Sequence, residues 1–358
     1  MRRILVTAAG GAPAINFVRS VRLCNEKYFM LGVDCNEYTI HRAETDEKQL
    51  CPRATEPNYI DYLNYLIDKY KIDLIHAQPD IEVGVLSENR EKLKCKVFLP
   101  DKRSVVVLRN KYQSYLEWKK AGVPVPETIL LNDESDLHKA FDLFGEKLWL
   151  REIEGAAGKG SLSSPSYDLA LFQIQSSNGW GRFTAAEKLS KNTVTWMSIY
   201  FNGELIVAQT RERLYWEHSN RAQSGVTGIT GTGRTISDNK ITELAIKSIL
   251  AIDKVPHGIF SVDITYSDDG KPMLTEINIG KFFTTHFFFT KAGINFPEIY
   301  LSLVFGDKIE MRNNINPLPV GLNWIRGMDI EPKLIKDSEI EALRKNYAKQ
   351  LNGYKSRI

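Results

Sequence analysis

No apolar run in this 358-residue sequence reaches membrane-spanning length. The longest are a few residues, as in Phe287-Phe288-Phe289, whereas a spanning helix needs about 20. Cysteine is scarce: Cys24, Cys35, Cys51 and Cys95 all lie in the first third, and none forms a C-x-x-C pair. That spacing argues against a metal cluster and predicts reduced, mostly buried thiols in a cytoplasmic protein. Neither charge sign dominates. The 47 Lys+Arg and 44 Asp+Glu leave a net +3, with both signs interspersed and no Lys/Arg run. Neither a nucleic-acid surface nor a membrane partner is expected. The basic start, Arg2-Arg3, turns at once into Thr7-Ala8-Ala9-Gly10-Gly11, too short an apolar stretch for a signal peptide. The six histidines are scattered, and no Ser/His/Asp or Cys/His pattern offers a nucleophile.

What is present is an ordinary globular composition, 43% apolar, with room for about two or three domains. The first hundred residues alternate strand and helix. Strands are expected at 3–7, 29–34, 73–77 and 96–99, with a small-residue turn at 8–12. Helices are expected at 13–24 and after Asn58, where Tyr59, Ile60, Leu63, Leu66, Ile67 and Tyr70 recur at helical spacing. Asn58 is the expected cap. Such alternation predicts a parallel sheet covered by helices on both sides. Beyond Pro100 the pattern changes. A helix at 111–121, stopped by Gly122, leads through Val123-Pro124-Val125-Pro126 to a strand, helix and strand at 128–131, 134–144 and 147–151. From Arg182 the chain reads as β-rich. Strands 193–201 and 204–209 meet at Asn202-Gly203, a helix spans 239–252, and strands 258–266 and 272–278 meet at Ser267-Asp268-Asp269-Gly270. The residues after Asn313 are polar and patternless.

Three stretches can carry chemistry. The first is Thr7-Ala8-Ala9-Gly10-Gly11-Ala12-Pro13, with Asp34 ending the next strand where a dinucleotide fold puts its ribose-binding acid. The G-x-G-x-x-G spacing is absent because Gly10 and Gly11 are adjacent. A plain tight turn and a nicotinamide-dependent oxidoreductase both stay open, with the spacing against the second. The next stretch is Arg151 followed by Gly155-Ala156-Ala157-Gly158-Lys159-Gly160-Ser161. Its backbone N–H groups can fold over phosphate oxygens with no side chain in the way, although it does not match a Walker A loop. The simpler reading is a flexible surface turn. The last is the hairpin with Asp263, Glu276 and Asn278. Glu276 and Asn278 share a face, and counting across the turn puts Asp263 opposite Glu276. Opposed carboxylates repel. A divalent cation turns that penalty into a site, and hard oxygen ligands suit Mg²⁺. The simpler reading is a solvated face whose carboxylates meet lysines such as Lys271. Gly280-Lys281-Phe282-Phe283-Thr284-Thr285-His286 follows, with the rings and hydroxyls of a substrate wall.

In this order the pieces resemble the ATP-grasp superfamily over about residues 3–306. They are closest to the ATP-grasp halves of carbamoyl-phosphate synthetase large chains and the stand-alone carboxylate–amine ligases like them. Asn110-Lys111-Tyr112 with Gly122-Val123-Pro124-Val125-Pro126-Glu127-Thr128 is similar to the opening nucleotide-binding segment. Arg151 falls where the family has a cation on the α-phosphate. Gly155, Gly158, Lys159, Gly160 and Ser161 fall in its phosphate-covering loop. Ala186-Glu187-Lys188-Leu189 resembles the inter-lobe strand that holds the adenine edge. Asp263, Glu276 and Asn278 match the magnesium positions, the last two within E-[IVM]-N. The most specific feature is Leu274-Thr275-Glu276-Ile277-Asn278 with Ala292-Gly293-Ile294-Asn295-Phe296-Pro297 downstream.

The resemblance implies an α/β (α+β) chain. A Rossmann-like parallel-sheet pre-ATP-grasp domain would span 1–103, and a two-lobed ATP-grasp domain with antiparallel sheets would follow. Its N-lobe would be 104–187, its C-lobe 188–312, and 313–358 a C-terminal extension. It implies a ligase using ATP and Mg²⁺, with Mn²⁺ the alternative cation, that phosphorylates a carboxylate and lets an amine displace the phosphate. Arg211 and Arg213 resemble the phosphate- or substrate-facing arginine strand. Lys281 stands one place past the arginine of the family's E-x-N-P-R. A small-molecule acid and amine would be the partners, and a homodimer is the assembly to expect first. There are two departures. Thr193-Val194-Thr195-Trp196 has no acid where the family commonly carries a ribose-binding Glu, and Ile279-Gly280-Lys281 lacks the arginine. They favour the alternative of a nucleotide-binding chain that has lost ligation and serves as a regulatory or partner subunit.

Overall fold

The computed structural model describes residues 1–155, 160–221, 224–225, 230–309, 314–327 and 336–355. Among these, no helix is long and apolar enough to cross a membrane. The first sheet is parallel. Strands β1 (Arg2–Val6), β2 (Tyr28–Asp34), β3 (Glu47–Leu50), β4 (Leu74–His76) and β5 (Lys96–Val97) lie in the order β3-β2-β1-β4-β5. Helices α1 (Ala12–Arg22), α2 (Tyr59–Tyr70) and α3 (Asp80–Glu88) connect them. Alternate residues of β1 and β2 go to opposite faces, and both faces are covered. Ile4, Val6 and Met30 pack with Phe17, Val18 and Val21 of α1, whereas Leu5, Leu31 and Val33 pack with Tyr59, Leu63 and Ile67 of α2. That two-sided burial is why these strands read as unbroken apolar runs. Asn58 does not cap α2 with its side chain. Its backbone carbonyl accepts from Tyr62 N at 2.9 Å instead.

The turn after β1 is closed by the protein itself. Asp34 accepts from Gly10 N at 3.3 Å and from Asn36 N at 2.9 Å, so its carboxylate serves the loop backbone. The Thr39 carbonyl lies so near Gly10 that a Cβ there would overlap it. The close approach that a dinucleotide turn reserves for a pyrophosphate is taken by Thr39, and the tight-turn reading stands. Gly10→Ala is therefore expected to destabilise the chain by about 1–3 kcal/mol, measured by urea unfolding. Unchanged stability would mean the 36–42 loop is not seated on the turn. Of the four thiols, all free, Cys24 and Cys51 are buried, Cys95 is half-buried and Cys35 is exposed. The expected burial holds for two of them.

Helices α4 (Lys102–Arg109) and α5 (Lys111–Lys120) follow. Next comes a four-stranded sheet ordered β6-β9-β7-β8, from β6 (Thr128–Leu131), β7 (Leu148–Glu152), β8 (Leu162–Ser163) and β9 (Phe183–Glu187). With α6 (Glu134–Phe144) and α7 (Tyr167–Ser176) it encloses its own core of Leu131, Leu137, Leu150, Ala170, Ile174 and Phe183. The apolar residues Val105 and Leu108 of α4 and Trp118 of α5 lie in one cluster with residues of the first domain and of the third sheet, and Trp118 Nε1 donates to Ser248 O at 3.1 Å.

The third sheet is seven-stranded, ordered β14-β13-β10-β11-β12-β16 with β15 on β11, the two short strands being β15 (Asn314–Ile315) and β16 (Asn323–Ile325). Its long strands are β10 (Thr193–Phe201), β11 (Glu204–Trp216), β12 (Thr230–Ile236), β13 (Gly258–Tyr266) and β14 (Pro272–Ile279). They pair antiparallel. Helix α8 (Asn239–Ile252) covers one face, where Val194, Trp196, Val262, Ile264 and Ile277 meet Ile241, Ala245 and Ile249. The alternate residues leave the other face. Helices α9 (Phe287–Ala292) and α10 (Phe296–Phe305) join this part to the first domain. The His76 ring stacks on Phe17 at 3.8 Å, and Phe282 touches both rings, at 5.7 Å from His76 and 6.1 Å from Phe17. Then come β15 (Asn314–Ile315), β16 (Asn323–Ile325) and α11 (Asp337–Lys355). The last turns back onto the edge of the first sheet. Leu343 and Tyr347 pack on Ala9, Ile40, Ala43 and Leu50, Arg344 pairs with Glu37, and Gln350 bonds Gln49. A covered edge strand is closed to pairing with another chain.

Candidate active site

The hairpin of β13 and β14 pairs Asp263 with Glu276 directly. The register steps at this point, between Asp263 and Ile264, and Thr275 is left outside the pairing. Its hydroxyl donates to Asp263 O at 2.9 Å, which fixes the bulge. Asp263 is held on both oxygens: Thr195 Oγ1 donates at 2.6 Å and Asn278 Nδ2 at 3.0 Å. The two carboxylate side chains are each 28% exposed, open to a ligand but off the free surface. Lys271 does not meet them; it pairs with Asp269 at 2.7 Å. Among the described residues, the cations nearest them are Arg151 and Arg213.

One row of side chains crosses the sheet from Glu276 through Asp263 and Thr195 to Arg211. Cations approach it from two directions. Arg151, at the end of β7 in the small sheet, donates to Thr275 O at 3.2 Å, and its Nη1 lies 3.7 Å from Glu276. Burial lowers its pKa, with Glu276 pulling the other way. Arg213 donates to Thr193 Oγ1 at 2.8 Å and Thr230 Oγ1 at 2.9 Å, and its Nη2 stands 3.8 Å from Asp263. Its guanidinium lies over Trp216 at 3.5 Å, and burial takes its pKa down to about 10. Arg211, over the Phe283 ring at 4.8 Å, is also pushed down, by burial first and then by Arg213. Among the described residues no cluster of three or more His, Cys, Asp and Glu stands ready for a metal. The donor set here is two carboxylates and an amide, hard oxygen chemistry that fits Mg²⁺ rather than zinc.

On the nucleotide side, Asn110 caps α5 by accepting from Tyr112 N at 3.1 Å and Gln113 N at 2.9 Å. This places Lys111 at the first helical position, where its Nζ donates to Gly155 O at 2.8 Å. Gly155 and Gly160, at the two ends of the glycine stretch, have φ of 127° and 74°, a region side chains disfavour. Gly158 and Lys159 lie outside the described residues. Ser161 is half-buried beside β8. Glu187 ends β9 exposed, and the chain crosses from the small sheet to the large one within a few residues. Lys188 N bonds Lys147 O at 3.0 Å and Ser190 N bonds Tyr266 O at 2.9 Å, with half-buried Leu189 between. The Lys188 ammonium is turned to Ser164 Oγ at 2.8 Å. Lys281 is turned away as well: its Nζ pairs with Asp80 of α3 at 2.6 Å. The structure thus gathers Arg151, Glu276, Asp263, Asn278, Arg211 and Arg213 on one face and Lys111 at the glycine stretch. Thr193, Thr195 and Thr230, which orient Asp263 and Arg213, carry no sequence signal of their own. Only strand pairing reveals them.

Residues 4–98 match the model of the PylC-like N-terminal domain family. A search of curated proteins finds no match. Solved structures similar to this chain include N5-carboxyaminoimidazole synthetase from Staphylococcus aureus complexed with ADP, at 17% identity and a TM-score of 0.69, covering 88% of this chain and 79% of that one. Carboxyaminoimidazole ribonucleotide synthase from Aspergillus clavatus complexed with ATP is similar at 18% identity and a TM-score of 0.66, with coverage of 88% and 79%. The biotin carboxylase domain dimer of Hydrogenobacter thermophilus 2-oxoglutarate carboxylase, with MgADP, ADP and bicarbonate, is similar at 14% identity and a TM-score of 0.68, covering 90% and 73%. At such identities the likeness is one of fold, and it covers 88–90% of this chain.

Proposed function

We propose that this chain, whose fold is that of the ATP-grasp enzymes, is an ATP- and Mg²⁺-dependent carboxylate–amine ligase. The observation that carries the reading is the Asp263–Glu276 pair with Asn278, approached by Arg151 from the other sheet. In the reaction a carboxylate oxygen attacks the γ-phosphorus, the β–γ bridging P–O bond breaks, and ADP leaves. The amine then attacks the acyl carbon, phosphate departs, and the amine gives up a proton. Two anions must meet in the first step, so the protein must supply positive charge. In this reading Arg151 and Lys111 would hold phosphate oxygens, and Arg211 the acid. Asp263, Glu276 and Asn278 would hold Mg²⁺, which neutralises phosphate charge when bound. A cytoplasmic location, small-molecule acid and amine partners and a homodimer go with this reading.

The test is ADP release with pooled acids and amines, followed by mass spectrometry of the product. Arg151→Ala is expected to raise the KM for ATP at least tenfold in that assay. Unchanged nucleotide affinity would remove Arg151 from the site. One observation favours a second reading. Lys281, one place past the missing arginine, is held by Asp80. A chain that binds nucleotide without ligating predicts ATP binding and no ADP release from any pool.

A further inference from the structure

We infer that Arg213 keeps the Asp263–Glu276 pair closed to a free divalent cation, so that the site takes its metal only together with the phosphates of a nucleotide. The inference rests on the metal assignment proposed above and goes beyond it, to the order in which the site fills.

Charge balance carries the argument. Two opposed carboxylates repel, and that penalty is what a metal would relieve. Here it is already relieved from within. Arg151 stands 3.7 Å from Glu276, and Arg213 stands 3.8 Å from Asp263. Arg211 belongs to the same row of side chains, is 3% exposed, and has its Nε and Nη1 without a partner among the described residues. Glu212, between Arg211 and Arg213 in sequence, pairs with Arg234 and adds nothing to the row. Three guanidiniums against two carboxylates leave the empty site with positive charge in excess. A free dication adds to that excess. Repulsion of this kind is strongest where water and salt are kept out, and the Arg213 and Arg151 side chains are only 7% and 18% exposed.

Geometry makes Arg213 a fixture. The Thr193 and Thr230 hydroxyls accept from it at 2.8 and 2.9 Å, and its guanidinium lies 3.5 Å over Trp216. Held at two edges and one face, it has no room to withdraw before an incoming cation. At 3.8 Å it is also too far from Asp263 for a hydrogen bond. It therefore offsets the carboxylate's charge without occupying its oxygens. Asp263 stays open to a metal whose own charge is offset by something else. A nucleotide supplies that offset. Its phosphates bring several negative charges and, in the proposed reaction, engage Arg151, so the balance at the carboxylate pair turns from positive to negative.

The experiment uses the full chain and Mn²⁺, whose free concentration is read from its electron paramagnetic resonance signal. Without nucleotide, Arg213→Gln is expected to bind Mn²⁺ at least tenfold more tightly than the native chain. Arg213→Lys, which keeps the charge, should stay close to the native chain. Adding Asp263→Asn to Arg213→Gln should remove the gain, which ties it to this site. In equilibrium dialysis at one free Mn²⁺ concentration, the native chain should take up metal with ADP present and none without it. That result needs no variant to fold. A native chain that takes up Mn²⁺ equally with and without ADP overturns the inference and leaves the ligase reading intact. So does an Arg213→Gln chain that binds it no more tightly than the native one, an Arg213→Lys chain as permissive as Arg213→Gln, or a gain that survives Asp263→Asn. Metal uptake in the expected pattern, with no ADP release from any pool of acids and amines, sinks the ligase and leaves the role of Arg213 standing.

Discussion

Glu276→Gln should lower ATP turnover at least about a thousandfold, equivalent to about 4 kcal/mol of transition-state stabilisation, with the fold intact. Glutamine keeps the shape and loses the charge. Glu276 is one of two carboxylates paired across β13 and β14. Removing its charge relieves a like-charge opposition in the free protein and gives up a 3.7 Å approach of Arg151. The two effects oppose each other, so unfolding stability is expected to move by less than about 1 kcal/mol. Lost turnover with retained stability separates a site residue from a structural one. A second measurement sharpens the test. Mg²⁺ with ADP should raise the melting temperature of the native chain and leave that of Glu276→Gln where it was. Turnover at the native rate would show that the opposed carboxylates serve neither metal nor nucleotide.

The site was legible where chemistry and register lie close together in the chain. Asp263 and Glu276 are joined by a short turn whose Gly270 takes a φ of 79°, so counting residues across it fixed their pairing. Alternation supplied the face, because Val262 and Ile264 go to the core and Asp263 cannot follow. Distant pairings were not legible. Lys281 meets Asp80 about 200 residues earlier, and α11 meets Glu37, Gln49 and Asp61 about 300 residues earlier. Nothing local marks such partners. The polar look of α11 follows from its exposure, since only a narrow stripe of Leu343, Tyr347, Leu351 and Tyr354 packs on the first domain and much of the rest faces solvent. Likewise, Gly10 and Gly11 read as small residues open to a ligand. Only the position of Thr39 shows that the space is filled from within.

The first domain carries the other large expected effect. Glu82, in the first turn of α3, is 8% exposed, and burial raises its pKa to about 7. Asp34 adds to the rise, and the Thr7 and Tyr59 hydroxyls oppose it. The ordinary value, which stands for the unfolded chain, is 4.5. Between the two values the folded chain holds a proton that the unfolded chain has lost. Stability therefore falls as pH rises from 4.5 to about 7. At about 1.4 kcal/mol per unit, the loss is about 3 kcal/mol. Buried His286 runs the opposite way, because burial lowers its pKa from 6.5 to about 4. Buried His76 is lowered too. For these rings the unfolded chain binds the extra proton, so stability is lost as pH falls below 6.5 toward 4. Glu82→Gln removes one limb alone. Urea unfolding at pH 5 should barely distinguish it from the native chain, whereas at pH 8 it should be more stable by up to about 3 kcal/mol. Its acid limb, set by the histidines, should be unchanged. A variant no more stable than the native chain at pH 8 would mean that Glu82 ionises freely in the folded protein, so that the packing of α3 on Thr7 and Tyr59 is not as tight as its burial requires.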